Sequence, residues 1–320
     1  MKKRLISIVL IFVLVSSILS ACSKETLKEA EEANKDGESI TVTDDLGREV
    51  TIEKNPEKVV VLFSSFIDIW VKSGGKLVGM TEDQLVHDVK GLDGVEGVGR
   101  TGGLSLEKIL SLEPELVILS VGTTEQRELV PILEENNVKV LALEYILKDD
   151  YFRIAKLFSE INDSKDLYEE NVATVEKQIE EVIERVPDEE IRVFIMFASS
   201  KSISARGSDS TLGEMLADLK TINIADEASE LLNDKNFSLE KVIEEDPDFI
   251  FVQTRGSDME AVNERIKKDV ESNPAWASLS AVKNDRYIML PKDLYLYKAN
   301  DRYGEAYENL AKILYPDIFN

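Results

Sequence analysis

Four groups of residues invite a chemical reading, and each has a structural alternative. Gly97-Val98-Gly99-Arg100-Thr101-Gly102 satisfies the G-x-G-x-x-G spacing of a dinucleotide-binding turn. That turn needs a strand directly before its first glycine, and Gly91-Leu92-Asp93-Gly94-Val95-Glu96 is not one. The glycines instead suit a tight turn, or a loop that approaches a ligand closely. Ser105-x-x-Lys108 and Ser238-x-x-Lys241 match the S-x-x-K of penicillin-recognising enzymes, but no Lys-Thr-Gly or Ser-Asp-Asn follows. Serine ahead of a helical run is an N-cap, and the acid two residues later favours the helix dipole. Ser64-Ser65 and the pair Asp44/Asp45 lack an accompanying base, metal set or oxyanion motif. The one histidine, His87, sits in an acidic stretch with no second histidine to chelate with. These residues do not add up to an enzyme.

Composition narrows the field further. The 320 residues carry 38 Lys+Arg against 62 Asp+Glu, a formal charge of −24. A nucleic-acid binder needs a basic face, so that class is set aside. One His and one Cys exclude zinc fingers, Cys-ligated iron–sulfur clusters, any intrachain disulfide and a multi-histidine site for a bare transition-metal ion. With 43% hydrophobic residues the chain can build real cores.

The N-terminus explains the lone cysteine. Lys2, Lys3 and Arg4 precede an apolar run, Leu5 to Leu19, that ends in Leu19-Ser20-Ala21-Cys22. The run is too short to span a membrane comfortably and suits a secretory leader. The ending resembles a bacterial lipobox, with cleavage before Cys22 and acylation of that residue. Loss of the leader's three cations takes the charge from −24 to −27. Residues 23–39 are polar and read as a solvated tether. The expectation is a lipid-anchored protein on the extracytoplasmic face of a bacterial cell membrane, held there at Cys22.

The elements that position the rest alternate. Asp45-Leu46-Gly47-Arg48 reads as a hairpin turn between Ile40–Thr43 and Val50–Ile52. Lys58–Phe63 (KVVVLF), Leu116–Leu119 and Val138–Leu143 read as buried parallel strands with helices between them. The pattern then recurs. Ser105-Leu106-Glu107-Lys108-Ile109 with Glu113-Pro114-Glu115 matches Ser238-Leu239-Glu240-Lys241-Val242 with Asp246-Pro247-Asp248 at an offset of 133. KVVVLFSS at 58–65 matches RVFIMFAS at 192–199 at an offset of 134. Two similar three-layer α/β lobes follow, 40–150 and 188–320, joined through 151–187 by one long helix, with a ligand cleft between them. Tyr168, Val172, Val175, Ile179, Val182 and Val186 form its apolar stripe. About twenty residues at about 1.5 Å each give a rod on the order of 30 Å laid across both lobes. Pro187 stops it.

A lipobox, a tether, Thr43–Val50 (TDDLGREV), two α/β lobes on one helix, Gly99–Pro114 with Pro-Glu-Leu-Val-Ile after it, and Lys298-Ala299-Asn300 before Gly304-Glu305-Ala306-Tyr307 together resemble a known family. It is that of the substrate-binding lipoproteins of ABC importers for iron–siderophores, haem and cobalamin. The resemblance implies ligand capture between the lobes, no intrinsic cofactor, and a permease dimer with a cytoplasmic ATPase as partner. It also assigns Glu107 and Glu240, one per lobe, to docking on that permease. A ferric siderophore is the first choice of ligand and haem the second, with cobalamin third for want of aromatic surface.

The carboxyl ends of strands nominate the pocket. They give Ser64, Ser65 and Phe66; Thr123 and Thr124; Tyr145; Ser199 and Ser200; Gln253 and Arg255; and Tyr295, Tyr297 and Lys298. Arg100 with Thr101, and Arg206, lie in neighbouring glycine-flanked loops. The arginines and Lys298 favour an anionic ligand.

Overall fold

The computed structural model describes residues 38–83, 89–228, 231 and 238–319. The leader with Cys22, the tether as far as 37 and His87 lie outside the described residues. No described helix is long and apolar enough to cross a membrane.

The described chain opens on an antiparallel hairpin, β1 (Ser39–Thr43) and β2 (Glu49–Glu53). Its turn is held by Asp44, whose carboxylate accepts from the Leu46 and Arg48 N–H groups at 3.1 and 3.0 Å and pairs with the Arg48 guanidinium. Burial works against charge on Asp44, yet the Arg48 contacts hold its carboxyl below the usual range. The turn also docks the hairpin on the first lobe, since Asp45 N–H donates to the Ala142 carbonyl at 3.0 Å.

The first lobe is a parallel sheet of β3 (Val59–Val61), β4 (Gly79–Met80), β5 (Glu96–Gly97), β6 (Leu116–Ser120) and β7 (Lys139–Leu143), in the order β5-β4-β3-β6-β7. The second contains β8 (Ile191–Ser199), β9 (Ile203–Arg206), β10 (Thr221–Asn223), β11 (Phe249–Arg255) and β12 (Tyr287–Met289). Its parallel order is β10-β8-β11-β12, with β9 antiparallel on β8.

Strand alternation sends every second side chain to a core that the lobes share. Val59 and Val61, Leu116 and Ile118, Val193 and Ile195, and Phe249 and Phe251 all enter one hydrophobic cluster. Val60, Val117 and Leu119 face a separate cluster on the outer side of the first sheet. Phe194, Met196, Ile250 and Val252 do the same for the second. Apolar runs of this kind are what sheets covered on both faces require.

The sequence repeat is a structural repeat down to single hydrogen bonds. Ser105 and Ser238 each accept from the backbone N–H three residues on, at 3.3 Å in both cases. Glu113 and Asp246, the residues before the paired prolines, both sit at positive φ, 48° and 41°. Glu115 accepts from the Lys58 N–H at 3.2 Å, and its counterpart Asp248 accepts from the Arg192 N–H at 2.9 Å.

The single helix expected over 151–187 is two helical runs. One spans Lys148–Ile161 and packs into the first lobe, Phe158 meeting Trp70 edge-on at 5.1 Å. Asn162-Asp163-Ser164 then breaks it, with Asp163 at φ 48°. Asn, Asp and Ser side chains compete with the helical backbone, and here Ser164 donates its hydroxyl to the Ser73 carbonyl at 2.7 Å. The second run comprises Lys165–Tyr168, a π turn Glu169–Ala173 and Thr174–Glu184. Its stripe, Val172, Val175, Ile179 and Val182, faces the shared core. Helix Tyr303–Leu314 lies beside it at a distance that only glycine allows. A Cβ on Gly304 would lie 2.8 Å from the Gln178 Cβ, an atom fixed by the neighbouring helix backbone.

The segment before that helix ties the chain's end to the first lobe. Asn300 is 1% exposed, with its backbone at φ 53°. Its amide donates to the Ser65 carbonyl at 3.1 Å and to Asp68 at 3.0 Å, and accepts from the Tyr145 hydroxyl at 2.9 Å. Removing it strands buried partners, so Asn300→Ala is expected to lower the unfolding free energy by about 3 kcal/mol. Urea denaturation checks this. Asn300→Gly, which suits the positive φ, is expected to be no more stable than Asn300→Ala by more than about 1 kcal/mol. A full recovery by glycine would show that backbone conformation, not the hydrogen bonds, is what matters there.

Candidate functional site

Between the lobes lies a cleft of about 1050 Å³. Helix Ser64–Lys72 begins at its wall, so Ser64 and Ser65 line it, while Phe66 turns inward and is fully buried against Tyr145. Thr123 lines it from the end of β6, whereas Thr124 is exposed and accepts from Arg127 at 2.9 Å. Thr101 reaches the cleft because two carboxylates hold its loop. Asp83 accepts from the Thr101 hydroxyl at 2.6 Å, and Glu125 accepts from the Gly102 N–H and, at 3.1 Å, from the Leu104 N–H. The turn needs its glycine, since a Cβ on Gly99 would lie 2.5 Å from the Gly103 carbonyl oxygen. Arg100 is exposed and is not part of the cleft wall.

On the other side Arg255, Tyr297 and Lys298 line the cleft. Gln253 does not, being buried two residues inside β11 and donating to the Tyr295 carbonyl. Tyr295 is also buried, with its hydroxyl on the Ala306 carbonyl at 3.0 Å. Ser199 and Ser200 are carried away because β8 runs on into a hairpin with β9, which Ser199 closes by a 3.1 Å bond to the Ser202 carbonyl. Arg206 stands behind the wall, its guanidinium 4.3 Å from the centroid of the Phe197 ring. Tyr145 is buried beneath Lys298, whose ammonium lies 4.8 Å from its ring centroid.

Eight lining residues escaped the strand-end rule: Phe63, Asp83 and Phe197 on the walls, and Gly256, Ser257, Lys292, Asp293 and Leu296 at the rim of the second lobe. The repeat carried a signal for two of them. Phe63 and Phe197 stand at the same offset of 134 as their strands, one aromatic wall per lobe. Nothing in the sequence marked Lys292, which reaches the cleft on the short helix Lys292–Tyr295 and donates to the Gly256 carbonyl at 2.6 Å.

The charges are unevenly spread. Arg255, Lys292 and Lys298 face Asp83 and Asp293. Asp83 is committed to Thr101, and Asp293 pairs with Arg302 at 2.8 Å. Three cations against two carboxylates, one of them ion-paired to Arg302 outside the lining, leave a cationic excess in the cleft of a strongly acidic protein. Outside it, Glu107 and Glu240 are exposed in the first turns of helices Leu106–Ser111 and Leu239–Glu245, and neither is ion-paired with a described residue.

Burial pushes Lys298 down to about 8 from its ordinary 10.5, with the nearby carboxylates of Asp150 and Glu214 opposing the shift. Its ammonium donates to the Thr211 hydroxyl at 2.8 Å and to the Ile146 carbonyl. A half-buried lysine held charged below its folded value destabilises the fold there, and the penalty fades as pH rises from about 8 toward 10.5. Lys298→Met is accordingly expected to be more stable than the parent at pH 7, by on the order of 2 kcal/mol. That advantage should shrink as the pH is raised through 8 to 10 in thermal unfolding scans. An advantage unchanged across that window would contradict the charge as its cause.

Comparison with known proteins agrees with this architecture. The family model described as periplasmic binding protein matches residues 59–294. An ABC transporter substrate-binding lipoprotein of Bacillus subtilis strain 168, YvrC, is 26% identical over 317 residues, covering 96% of each chain. The Fe(3+)-citrate-binding protein YfmC of the same strain is 26% identical over 327 residues, 99% of this chain and 98% of the other. The crystal structure of the periplasmic vitamin B12-binding protein of Vibrio cholerae superposes with a TM-score of 0.64 at 20% identity, over 81% of this chain and 97% of that one.

Proposed function

This chain belongs to the periplasmic binding protein family, and on that premise we propose that it captures an anionic ferric chelate in the interlobe cleft and delivers it to an ABC permease. The observation that carries the reading is the cationic wall of Arg255, Lys292 and Lys298 in a cleft of about 1050 Å³. A bare ion needs nothing of that size, whereas chelates of drug-like dimensions occupy pockets of roughly 300–1,000 Å³. Arginine and lysine suit the carboxylates, catecholates or hydroxycarboxylates that wrap ferric iron. The likeness to a Fe(3+)-citrate-binding protein supports the same cargo class. In this reading the protein carries no cofactor of its own, and its work is binding and hand-over, not catalysis.

Lys298 contributes a charge whose presence depends on pH. A cargo held by that charge should bind more weakly as the pH rises through about 8, where the folded protein loses the proton.

The handover surface we propose is Glu107 and Glu240. A permease built from two like subunits meets a two-lobed partner best when each lobe offers the same charge at the same place. Here each carboxylate stands on a helix capped by the same serine hydrogen bond. Anchoring at Cys22 would keep this surface beside the membrane, because stable attachment comes from more than one acyl chain.

Two measurements test the reading. Calorimetric titration with ferric citrate, a ferric catecholate, haem and cobalamin is expected to give submicromolar affinity for an anionic ferric chelate. Tighter binding of cobalamin would overturn the iron assignment. The double variant Glu107→Ala with Glu240→Ala is expected to keep the parent affinity within about twofold and to lose uptake of radioactive iron in cells. Normal uptake by that variant would remove the two glutamates from the docking surface.

A further inference from the structure

One charge of the cleft, Lys298, is placed by both lobes at once. Ile146 follows β7 of the first lobe, and its carbonyl accepts from the Lys298 ammonium. Thr211 is the first residue of helix Thr211–Asp218 in the second lobe, and its hydroxyl accepts from the same ammonium at 2.8 Å. That hydroxyl in turn donates to the Ile146 carbonyl at 2.9 Å. Three atoms from three separate parts of the chain thus form a closed triangle, in which the ammonium is held by one acceptor from each lobe. We propose that Thr211 and the Ile146 carbonyl are positioning groups that fix the Lys298 ammonium toward an anionic cargo, so that the relative placement of the lobes sets the affinity. The inference rests on the cleft being the cargo site.

The surroundings separate this role from a purely structural one. A half-buried ammonium at the N-terminal end of a helix is disfavoured by both desolvation and the helix dipole. Removing it would leave the Thr211 hydroxyl still bonded to the Ile146 carbonyl, so the junction does not need the charge to stay closed. The carboxylates nearest Lys298 also hold backbone and side-chain groups of the junction. Asp150 accepts from the Ile146 and Leu147 N–H groups at 2.8 and 3.0 Å, and Glu214 accepts from the Lys148 N–H at 2.8 Å. Asp218, the next carboxylate along, takes the Lys148 ammonium at 2.7 Å and the Tyr307 hydroxyl at 2.6 Å. The aromatic groups packed around the site are the Tyr145 ring below the ammonium and Tyr303, whose hydroxyl lies 3.3 Å from that of Tyr145. A disfavoured charge, held in place by groups from both lobes and lining the cleft, is what a cargo-reading residue looks like.

The test is a double-mutant cycle read by calorimetry on the whole protein, with ferric citrate and a ferric tris-catecholate as anionic probes and a neutral ferric trihydroxamate as control. Thr211→Val is expected to weaken the tighter anionic probe about tenfold, the loss of one charge-directed hydrogen bond. Thr211→Ser is expected to restore it to within about twofold, and the neutral probe is expected to change by less than about twofold. In the Lys298→Met background, Thr211→Val is expected to have no further effect. Thr211→Ala stands in if the second methyl group of valine disturbs the fold. An equal loss with and without Lys298, an equal loss for the neutral probe, or parent affinity in Thr211→Val would each overturn the inference while leaving the cleft as the cargo site. Absence of binding for all three chelates would overturn the cargo reading itself, and the inference with it.

Discussion

A cleft keeps its shape only if the walls on either side of it cannot slide, and in this protein that constraint rests on buried and half-buried polar contacts across the lobe junction. Lys148 reaches from the first lobe to Asp218 at 2.7 Å and Glu214 at 3.4 Å on a helix of the second. Asn300 pins the terminal segment to Ser65 and Asp68, and Lys72 bridges Asp68 and Asp301 at 2.8 Å each. Such contacts are directional. A hydrophobic seam tolerates sliding, whereas a buried amide or ion pair that slips by an ångström leaves partners unsatisfied. The shared core beneath the junction gives cohesion, and the polar groups give register.

The cleft inherits its chemistry from that register. Its two phenylalanines come from equivalent strands, so the walls begin as copies of one another. They diverge in charge, with Asp83 on the first lobe and Arg255, Lys292, Lys298 and the Arg302-paired Asp293 on the second. A ligand with one anionic face therefore has a preferred orientation. Lys298 is the point at which register and charge meet, because the groups that hold its ammonium belong to both lobes.

Much of the fold was legible in the sequence because strands buried on both faces must be apolar throughout, and because the repeat announced the second lobe. The hairpin at Asp44–Arg48, the capping serines and the apolar stripe of the second interlobe run were readable for the same reason: each is a local pattern with one physical solution. The break at Asn162–Ser164 was harder to see, since it depends on Ser164 finding the Ser73 carbonyl, a contact far away in sequence. The site was less legible than the fold. Strand ends located Ser64, Ser65, Thr123 and Arg255, but the rule fails where a strand continues into a hairpin, as at Ser199. It fails again where a side chain stays inside the sheet, as at Gln253. Lys292 and Asp83 enter through loops and short helices whose path is set by tertiary packing.

The central claim is that a junction of fixed register presents a cationic cleft to an anionic ferric chelate. A crystal structure of the protein grown with ferric citrate tests it most directly. The account predicts the chelate between Thr123 and Arg255, with the Lys298 ammonium directed at it from the Thr211 hydroxyl and the Lys148–Asp218 contact intact. A chelate bound outside the cleft, or a lobe rotation that breaks that contact, would contradict it.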